Sequence, residues 1–510
     1  MPTCGTAPLS SVHIPAIIGD KNADARNRVI PIGTRQPLAR HRMIVYQCHV
    51  IVYRIVYPSG VPRMKTSFTP PRSSRSASPS GRFSGEGRHF VFLQGPHGPF
   101  FHELAQVLAR AGARIGKIGF NQGDAHYWPD QASFTAFRAP LEEWPEFLRT
   151  HLHDERVTDI VLYGDSRPIH AEAVRLAERL GIVAHCFEEG YLRPYWVTYE
   201  RGGTNGNSRL MELSIARMQA LLPDPEADLP AAPARWGDLK AHAWHGAVYH
   251  WQILMRNRHY PHWQSHRDIS VAREARLNLR KFLALPLAAL ARRRAVRRVR
   301  RTGQPYHLAL LQLSHDASFR AHSPFASMGE YCREVIAAFA EGAPPHHLLV
   351  FKAHPLDDGR ENLPATIRRA AQEAGIAERV HFVPGGKLAQ MLDHARSVVT
   401  VNSTAAQQAL WRGLPLKALG RSVYDKPELV SDQPLAEFFA DPRHPDTRAY
   451  RDYRRFLLAT SQVPGGFYSR RSRERLIPRL ADMILAPEDP YDALARRNAR
   501  MHQPLRLIHG

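Results

Sequence analysis

The chain has 510 residues and carries 69 Lys and Arg against 47 Asp and Glu, a formal charge of +22. At roughly 100–200 residues per domain it holds two or three domains, and with 44% hydrophobic residues it can bury sizeable cores, which excludes a disordered, collagen-like or disulfide-scaffold chain. No stretch reaches the roughly 18 consecutive apolar residues of a membrane span, so the charge points to an anionic partner: nucleic acid, a phosphorylated substrate or anionic lipid.

Residues 1–87 read poorly as a domain. Met43 to Tyr57 suits an isolated strand or two, and Thr66 to Gly85 is rich in Ser, Pro, Arg and Gly and cannot build a core. Two readings compete: a flexible basic tail, or translation from a later methionine such as Met64, which is favoured. No secretory signal is expected, since the start lacks a basic segment followed by an apolar core. Cys4, Cys48, Cys186 and Cys332 form no C-x-x-C pair, so a cysteine-based zinc site is not expected.

From His89 the pattern becomes regular. HFVFLQG predicts a buried strand, Phe100 to Ala111 a helix stopped by Gly112, and ARIGKIGF a second strand. VTDIVLYGD is a strand, Ile169 to Leu180 a helix stopped by Gly181, and IVAHCFEEG a strand. This alternation predicts a parallel sheet flanked by helices over 88–235. A joint over 236–304 holds the helix candidate AWHGAVYHWQILM and the basic run Arg292 to Arg301, which reads either as a solvated helix face or, beside FLALPLAALA, as a match for an anionic membrane surface. A second doubly wound block spans 305–425, with strands at HLALLQL, HHLLVFKAHP, VHFVPG, SVVTVNS and LPLKALG and helices over Met328 to Ala340, Leu363 to Gly375, Leu388 to Ala395 and Ala405 to Arg412. Residues 426–510 are expected to be helical and to pack back across both domains. Two open α/β domains predict a ligand cleft between them.

Ligands of such sheets sit at the carboxyl ends of the strands, and the polar clusters fall there. Gln94-Gly95-Pro96-His97-Gly98 can bring backbone N–H groups to an anion, or be an ordinary tight turn. Asn121 and Asp124 are turn formers that can also bind substrate hydroxyls. Asp165, with Arg167 and His170 nearby, is either a base or nucleophile or a cap for the helix at Pro168; taken alone, the cap reads better. Glu188 and Glu189 are two carboxylates ending a buried strand, which Arg193 can pair with. Lys352 and His354 can meet a phosphate, as can the helix start at Asn402-Ser403-Thr404, which also reads as a simple cap. His315, Asp316, His322 and Ser323 make a further polar loop. The histidines from His242 to His266 lack metal-ligand spacing, so no metal is expected.

These clusters together resemble the capsule polysaccharide biosynthesis/export proteins of the KpsS/LipB type. The resemblance runs from about His89 to about Pro442 and rests on LQGPHGPFF, FNQGD, GDSRPIH, EEGYLRP, NGNS (Asn205 to Ser208), FKAHPLDDG, VNSTAAQQAL and LPLKALG, in the family's order. Gln122 stands where the family usually has Gly, Ser166 where it has Cys, and Ala405-Ala406 where it has Val-Gly.

The resemblance implies two Rossmann-like doubly wound domains facing a cleft, a GT-B-like α/β fold. It implies a retaining β-Kdo transferase with CMP-β-Kdo as donor, no other cofactor, and a lyso-phosphatidylglycerol acceptor. The place implied is cytoplasmic, on the surface of the inner membrane, with other capsule synthesis or export proteins as partners. Asp165 is then the candidate nucleophile or catalytic carboxylate, Glu188 or Glu189 assists at the acceptor side, and His170 belongs with them. Lys352, His354, Asn402, Ser403 and Thr404 seat the donor; Gln94, Gly95, Asn121, Asp124, Arg167, Arg193 and Asn205 complete the binding set. The alternative is a non-catalytic export or assembly factor that binds the lipid-linked polymer. Nucleic-acid binding draws only on net charge and is not expected.

Overall fold

The computed structural model describes residues 83–193, 195–222, 238–264, 271–357 and 359–496. The expectations for residues 1–82, including Met64, Cys4 and Cys48, lie outside the described residues, as do Pro194, His266 and Asp358.

In the first lobe, strands β1 (His89–Phe92), β2 (Arg114–Gly119), β3 (Phe134–Ala136), β4 (Asp159–Tyr163) and β5 (Val183–Glu189) are followed by β6 (Trp196–Arg201). The parallel order is β3-β2-β1-β4-β5, and β6 adds antiparallel to β5. Alternation along β4 explains the two-sided burial: Ile160 and Leu162 pack under the helices Trp144–Asp154 and Pro168–Leu180, while Val161 faces the core that takes in Phe100, Leu104 and Leu108 of the Phe100–Arg110 helix. Gly181 ends the Pro168–Leu180 helix at φ 69°, a left-handed cap that glycine adopts without strain.

The second lobe holds β7 (Tyr306–Leu310), β8 (Leu348–Lys352), β9 (Val380–Val383), β10 (Ala395–Thr400) and β11 (Leu416–Ala418), ordered β11-β10-β7-β8-β9 and all parallel. Each parallel set reverses direction of winding once, between β1 and β4 and between β7 and β10. Two Rossmann-like doubly wound sheets result, as expected. The Leu388–Leu392 helix is shorter than its pattern suggested, because Ala395 already pairs with Tyr306 in the sheet.

The lobes share a core. Tyr191, Leu192, Trp196, Leu210 and Met218 pack with Leu308, Val350 and Val398. The C-terminal segment returns to the first lobe: β12 (Gln462–Pro464) pairs antiparallel with β6, and the Arg470–Leu485 helix lies on the Phe100–Arg110 helix, where Arg473 pairs with Glu103 at 2.8 Å. Two further helices, Asp238–Arg256 and Val271–Thr302, run between the lobes.

Candidate active site between the lobes

The turns after β1 and β4 flank one winding reversal, and those after β7 and β10 flank the other. Ligands of doubly wound sheets collect at such reversals. After β4 the chain turns through Gly164 (φ 71°) and presents Asp165, which is 3% exposed. Its Oδ2 accepts from the Thr204 backbone N–H (2.7 Å) and from Asn207 Nδ2 (3.2 Å); its Oδ1 accepts from the Ser166 hydroxyl (2.9 Å). The helix-cap reading of Asp165 is therefore overturned. Arg167 occupies the cap position of Pro168–Leu180, without a side-chain cap bond, and the carboxylate turns instead to the NGNS segment. His170 is wholly buried beneath this turn and its Nδ1–H donates to the Gly164 carbonyl at 2.6 Å. The Arg167 guanidinium lies 5.7 Å from the Tyr163 ring centroid.

Glu188 and Glu189 end β5, and strand alternation sends them to opposite faces. Glu189 Oε1 accepts from the hydroxyls of Tyr163 (3.4 Å) and Tyr468 (3.2 Å). Glu188 lies over Gly164, where an added β-carbon would meet its Oε2 at 3.4 Å. Burial pushes the Glu188 carboxyl up to about 7. The charges of Asp316, across from it in the second lobe, and of Glu189 add to that, while the Glu189 N–H and exposed Arg193 oppose it. A carboxyl poised near neutrality beside a buried carboxylate suits proton transfer at physiological pH.

The NGNS turn is held from both lobes. Asn205 sits at φ 53° and its N–H donates to the Tyr191 hydroxyl at 2.6 Å. Ser208 donates to Glu200, which also accepts from Tyr191 (2.9 Å) and Tyr491 (3.1 Å). Burial pushes Glu200 up to about 8 despite those donors. From the second lobe, Arg421 donates to the Gly206 carbonyl at 3.0 Å. The His322 ring covers Gly206 so closely that a β-carbon there would lie 2.4 Å from Nδ1. His322 is 6% exposed, its Nε2 stands 3.5 Å from the Ser166 hydroxyl, and its Nδ1 has no hydrogen-bond partner. Burial lowers its pKa, opposed by Asp165 and helped by Arg421. Asp165, Ser166, Gly206, His322 and Arg421 thus meet where the lobes touch.

On the second lobe, Asn402 bridges the loops at the winding reversal. Its Oδ1 accepts from Gln312 Nε2 (2.8 Å), its N–H donates to Gln312 Oε1 (3.0 Å), and its Nδ2 donates to the Ser318 carbonyl (3.2 Å). The Ser403 hydroxyl accepts from the Ala405 N–H at 3.3 Å, and its carbonyl from the Tyr424 hydroxyl at 2.8 Å. The single helix expected over Ala405 to Arg412 is instead a 3-10 turn, Thr404–Ala406, and a short helix, Gln407–Leu410. Lys352 ends β8 with its Nζ donating to the Ala353 carbonyl (3.3 Å), and burial lowers it to about 8. His354 follows, its Nδ1 accepting from the Leu356 N–H at 3.1 Å.

The cluster after β1 and β2 is arranged differently. Gln94 Nε2 donates to Asp124 (3.0 Å), Asn121 Oδ1 accepts the Asp124 N–H (3.0 Å), and Asp124 Oδ2 accepts the Phe120 N–H (2.9 Å). Tyr249, from the Asp238–Arg256 helix, closes the set: its hydroxyl donates to Asp124 Oδ1 (3.0 Å) and accepts from Asn121 Nδ2 (2.8 Å). Gly95 is pressed against the Phe101 ring. The gap left beside Gly95, Lys117, Asp124 and Tyr249 is about 20 Å³, which holds about one water. Gln94 Nε2, both side-chain polar atoms of Asn121 and both oxygens of Asp124 are engaged with one another, with Tyr249 and with the Phe120 N–H. Sequence reading missed Tyr249, Glu200 and Arg421. Tyr249 and Arg421 act on residues far away in the chain, and Glu200 joins nearby Tyr191 and Ser208 to distant Tyr491, so no local pattern marks them.

A cavity of about 340 Å³ lies elsewhere, between the Val271–Thr302 helix and the β9 edge of the second lobe, lined by Ala295, Arg298, Ile367 and His381 among others. It contains none of the candidate residues. Among the described residues no three His, Cys, Asp or Glu side chains are grouped to hold a metal ion, and no helix is long and apolar enough to cross a membrane.

The sequence profile of the capsule polysaccharide biosynthesis protein family matches residues 158–468. That span includes Asp165, Glu188, Lys352 and Asn402 and leaves out Gln94, Asn121 and Asp124. The capsule polysaccharide export protein KpsS of Escherichia coli is 34% identical over 388 residues, 75% of this chain and 97% of that protein. The capsule polysaccharide modification protein LipB of Neisseria meningitidis serogroup B is 30% identical over 386 residues, 75% of this chain and 92% of that protein. Among solved structures, the β-Kdo 2,7 transferase of Thermosulfurimonas dismutans KpsC aligns over 78% of this chain and 100% of that one, at 13% identity and a TM-score of 0.37. With a profile match over more than half its length and relatives matched almost end to end, this chain belongs to the capsule polysaccharide biosynthesis protein family.

Proposed function

We propose that the protein is a retaining β-Kdo glycosyltransferase that moves Kdo from CMP-β-Kdo to a lyso-phosphatidylglycerol acceptor at the inner-membrane surface, beginning the lipid linker of a capsular polysaccharide. The observation that carries this reading is that two carboxyl groups come to the Gly164 turn: Asp165, next in the chain and held by two N–H donors, and Glu188, whose Oε2 lies over Gly164 and which burial raises to about 7. A nucleophilic carboxylate and a second carboxyl group that can take up a proton are the two parts that two-step transfer with retention requires.

In the first step an Asp165 oxygen attacks the anomeric carbon as its bond to the CMP oxygen breaks, and CMP leaves as the anion. Oδ1 is the attacking atom, because Oδ2 is held by two N–H donors whereas Oδ1 takes only a hydroxyl that can rotate away. In the second step the acceptor hydroxyl attacks the same carbon, its proton passes to Glu188, and Asp165 is released. CMP is a good leaving group, so the donor side needs mainly charge stabilisation and positioning. Lys352, His354 and the Asn402-Ser403-Thr404 turn supply it without a metal. Arg167 and Arg193 serve the sugar carboxylate or the lipid phosphate. His170 positions the Gly164 turn rather than touching substrate.

The test is transfer from CMP-β-Kdo to lyso-phosphatidylglycerol by the purified chain. Turnover that Asp165→Asn abolishes, with the fold retained, supports the enzyme. Binding of lipid-linked polymer with no turnover and no affinity for CMP supports an export or assembly factor instead.

A further inference from the structure

Ten large hydrophobic side chains are exposed among the described residues, and six of them, Trp244, Trp251, Leu254, Met255, Leu287 and Leu290, lie on the two helices between the lobes. Their spacing is regular. On Asp238–Arg256, Trp244, Trp251, Leu254 and Met255 recur at helical intervals and form one outward stripe. The opposite face of that helix is also apolar, but Tyr249 there is closed against the first lobe by Asn121 and Asp124, and Ile253 is buried as well. The helix is thus anchored by one face and leaves a second, tryptophan-bearing face to solvent, with Trp244 67% and Trp251 59% exposed.

The Val271–Thr302 helix completes the pattern. Its sequence has eleven basic residues and one acidic residue, Glu274. Exposed Leu287 and Leu290 stand between two groups of exposed arginines, Arg273, Arg276 and Arg280 before them and the run from Arg293 to Arg301 after them. Tryptophan, leucine and methionine flanked by arginine match the boundary between lipid headgroups and acyl chains, where an amphipathic helix lies flat without crossing. A strongly cationic face needs an anionic partner surface.

We propose that the outward stripes of these two helices form a docking surface for an anionic phospholipid bilayer. The Trp244 and Trp251 side chains enter the headgroup region and the arginines of Val271–Thr302 meet lipid phosphates. Through Tyr249 the same helix closes the turns at the carboxyl edge of the first sheet, the edge that carries Asp165 and Glu188. Docking there holds that edge close to the bilayer, which rests on the lipid-acceptor reading for its purpose but not for its existence.

The test is flotation of the full chain with vesicles of phosphatidylcholine alone or mixed with phosphatidylglycerol, and quenching of tryptophan fluorescence by brominated lipid. The expected result is binding to the phosphatidylglycerol vesicles at least tenfold tighter than to phosphatidylcholine, lost at least tenfold in W244S/W251S and in R293Q/R294Q/R297Q. Both variants keep transfer within twofold on a detergent-dispersed, short-chain acceptor, so a failure of docking and a failure of the transferase reading are told apart. Variants that bind vesicles like the parent, tryptophans that bromine does not quench, or a dimer that only W244S/W251S dissociates would each overturn the proposal, the last by showing that a second copy covers this face.

Discussion

Asp124 and Asp165 both follow parallel strands of the first sheet, both are almost fully buried, at 6% and 3% exposure, and both accept several hydrogen bonds. They differ in who donates. Asp124 takes its bonds from Phe120, Gln94 and Tyr249, all packed within the first lobe around a gap fit for one water. Asp165 takes its bonds from the NGNS turn, which the second lobe covers with His322 and Arg421. A buried carboxylate whose donors all come from one lobe is expected to serve the fold first. One whose donors are themselves gripped by another lobe lies where a ligand between the lobes can reach it.

Exchanging each aspartate tests this contrast most strongly. Asp165→Asn keeps the shape but removes the proposed nucleophile, and kcat is expected to fall by on the order of 10³-fold or more. Asp124→Ala leaves buried donors unpaired and costs about 1–3 kcal/mol of stability, with near-parental kcat in the folded fraction. Chemical denaturation and steady-state rates measured together check both. Equal loss of activity in the two variants would dissolve the distinction.

The glutamates sharpen it within one strand. Glu188→Gln is expected to lower kcat by on the order of 10²-fold or more, as for the loss of a general base. Glu189→Gln, whose partners are the Tyr163 and Tyr468 hydroxyls, should stay within a few-fold. Gly206→Ala comes next: its β-carbon at 2.4 Å from His322 Nδ1 must push the ring or the turn. A loss of about 1–3 kcal/mol for overpacking together with a roughly tenfold lower kcat is the outcome predicted for a turn that holds Asp165; a stability change with an unaltered rate would confine the turn to structure.

The smallest effect is in pH. If Glu188 takes the acceptor proton as proposed, it must be ionised, so activity is expected to rise as pH passes about 7. Lys352 must be charged to meet phosphate, so activity falls as pH passes about 8. The rate profile is a narrow bell. Glu188→Gln removes its rising limb, and Lys352→Arg moves its falling limb to higher pH.

Much of this was legible in the chain. Nine of the ten described parallel strands announce themselves as short apolar runs, several ended by glycine, and the polar clusters follow them; β3, only three residues long, is not read from the sequence. What was not legible depends on pairing at a distance. β6 is rich in strand-forming residues, but nothing local marks its antiparallel return, and β12 is three residues ending in Pro464 at a sheet edge, with no strong pattern of its own. The local rule that favours Asp as a helix cap pointed Asp165 the wrong way, because its partners, Thr204 and Asn207, lie about forty residues on. Likewise nothing near Asn121 and Asp124 in the chain announces Tyr249, which reaches them from the connecting helix.

The central claim is that Asp165 carries the sugar between the two steps. Intact-protein mass spectrometry of Glu188→Gln incubated with CMP-β-Kdo in the absence of acceptor tests it directly. A single Kdo adduct is expected, mapping by peptide fragmentation to Asp165 and absent from Asp165→Asn. An adduct on another residue, or an Asp165→Asn enzyme that still transfers Kdo, would contradict it.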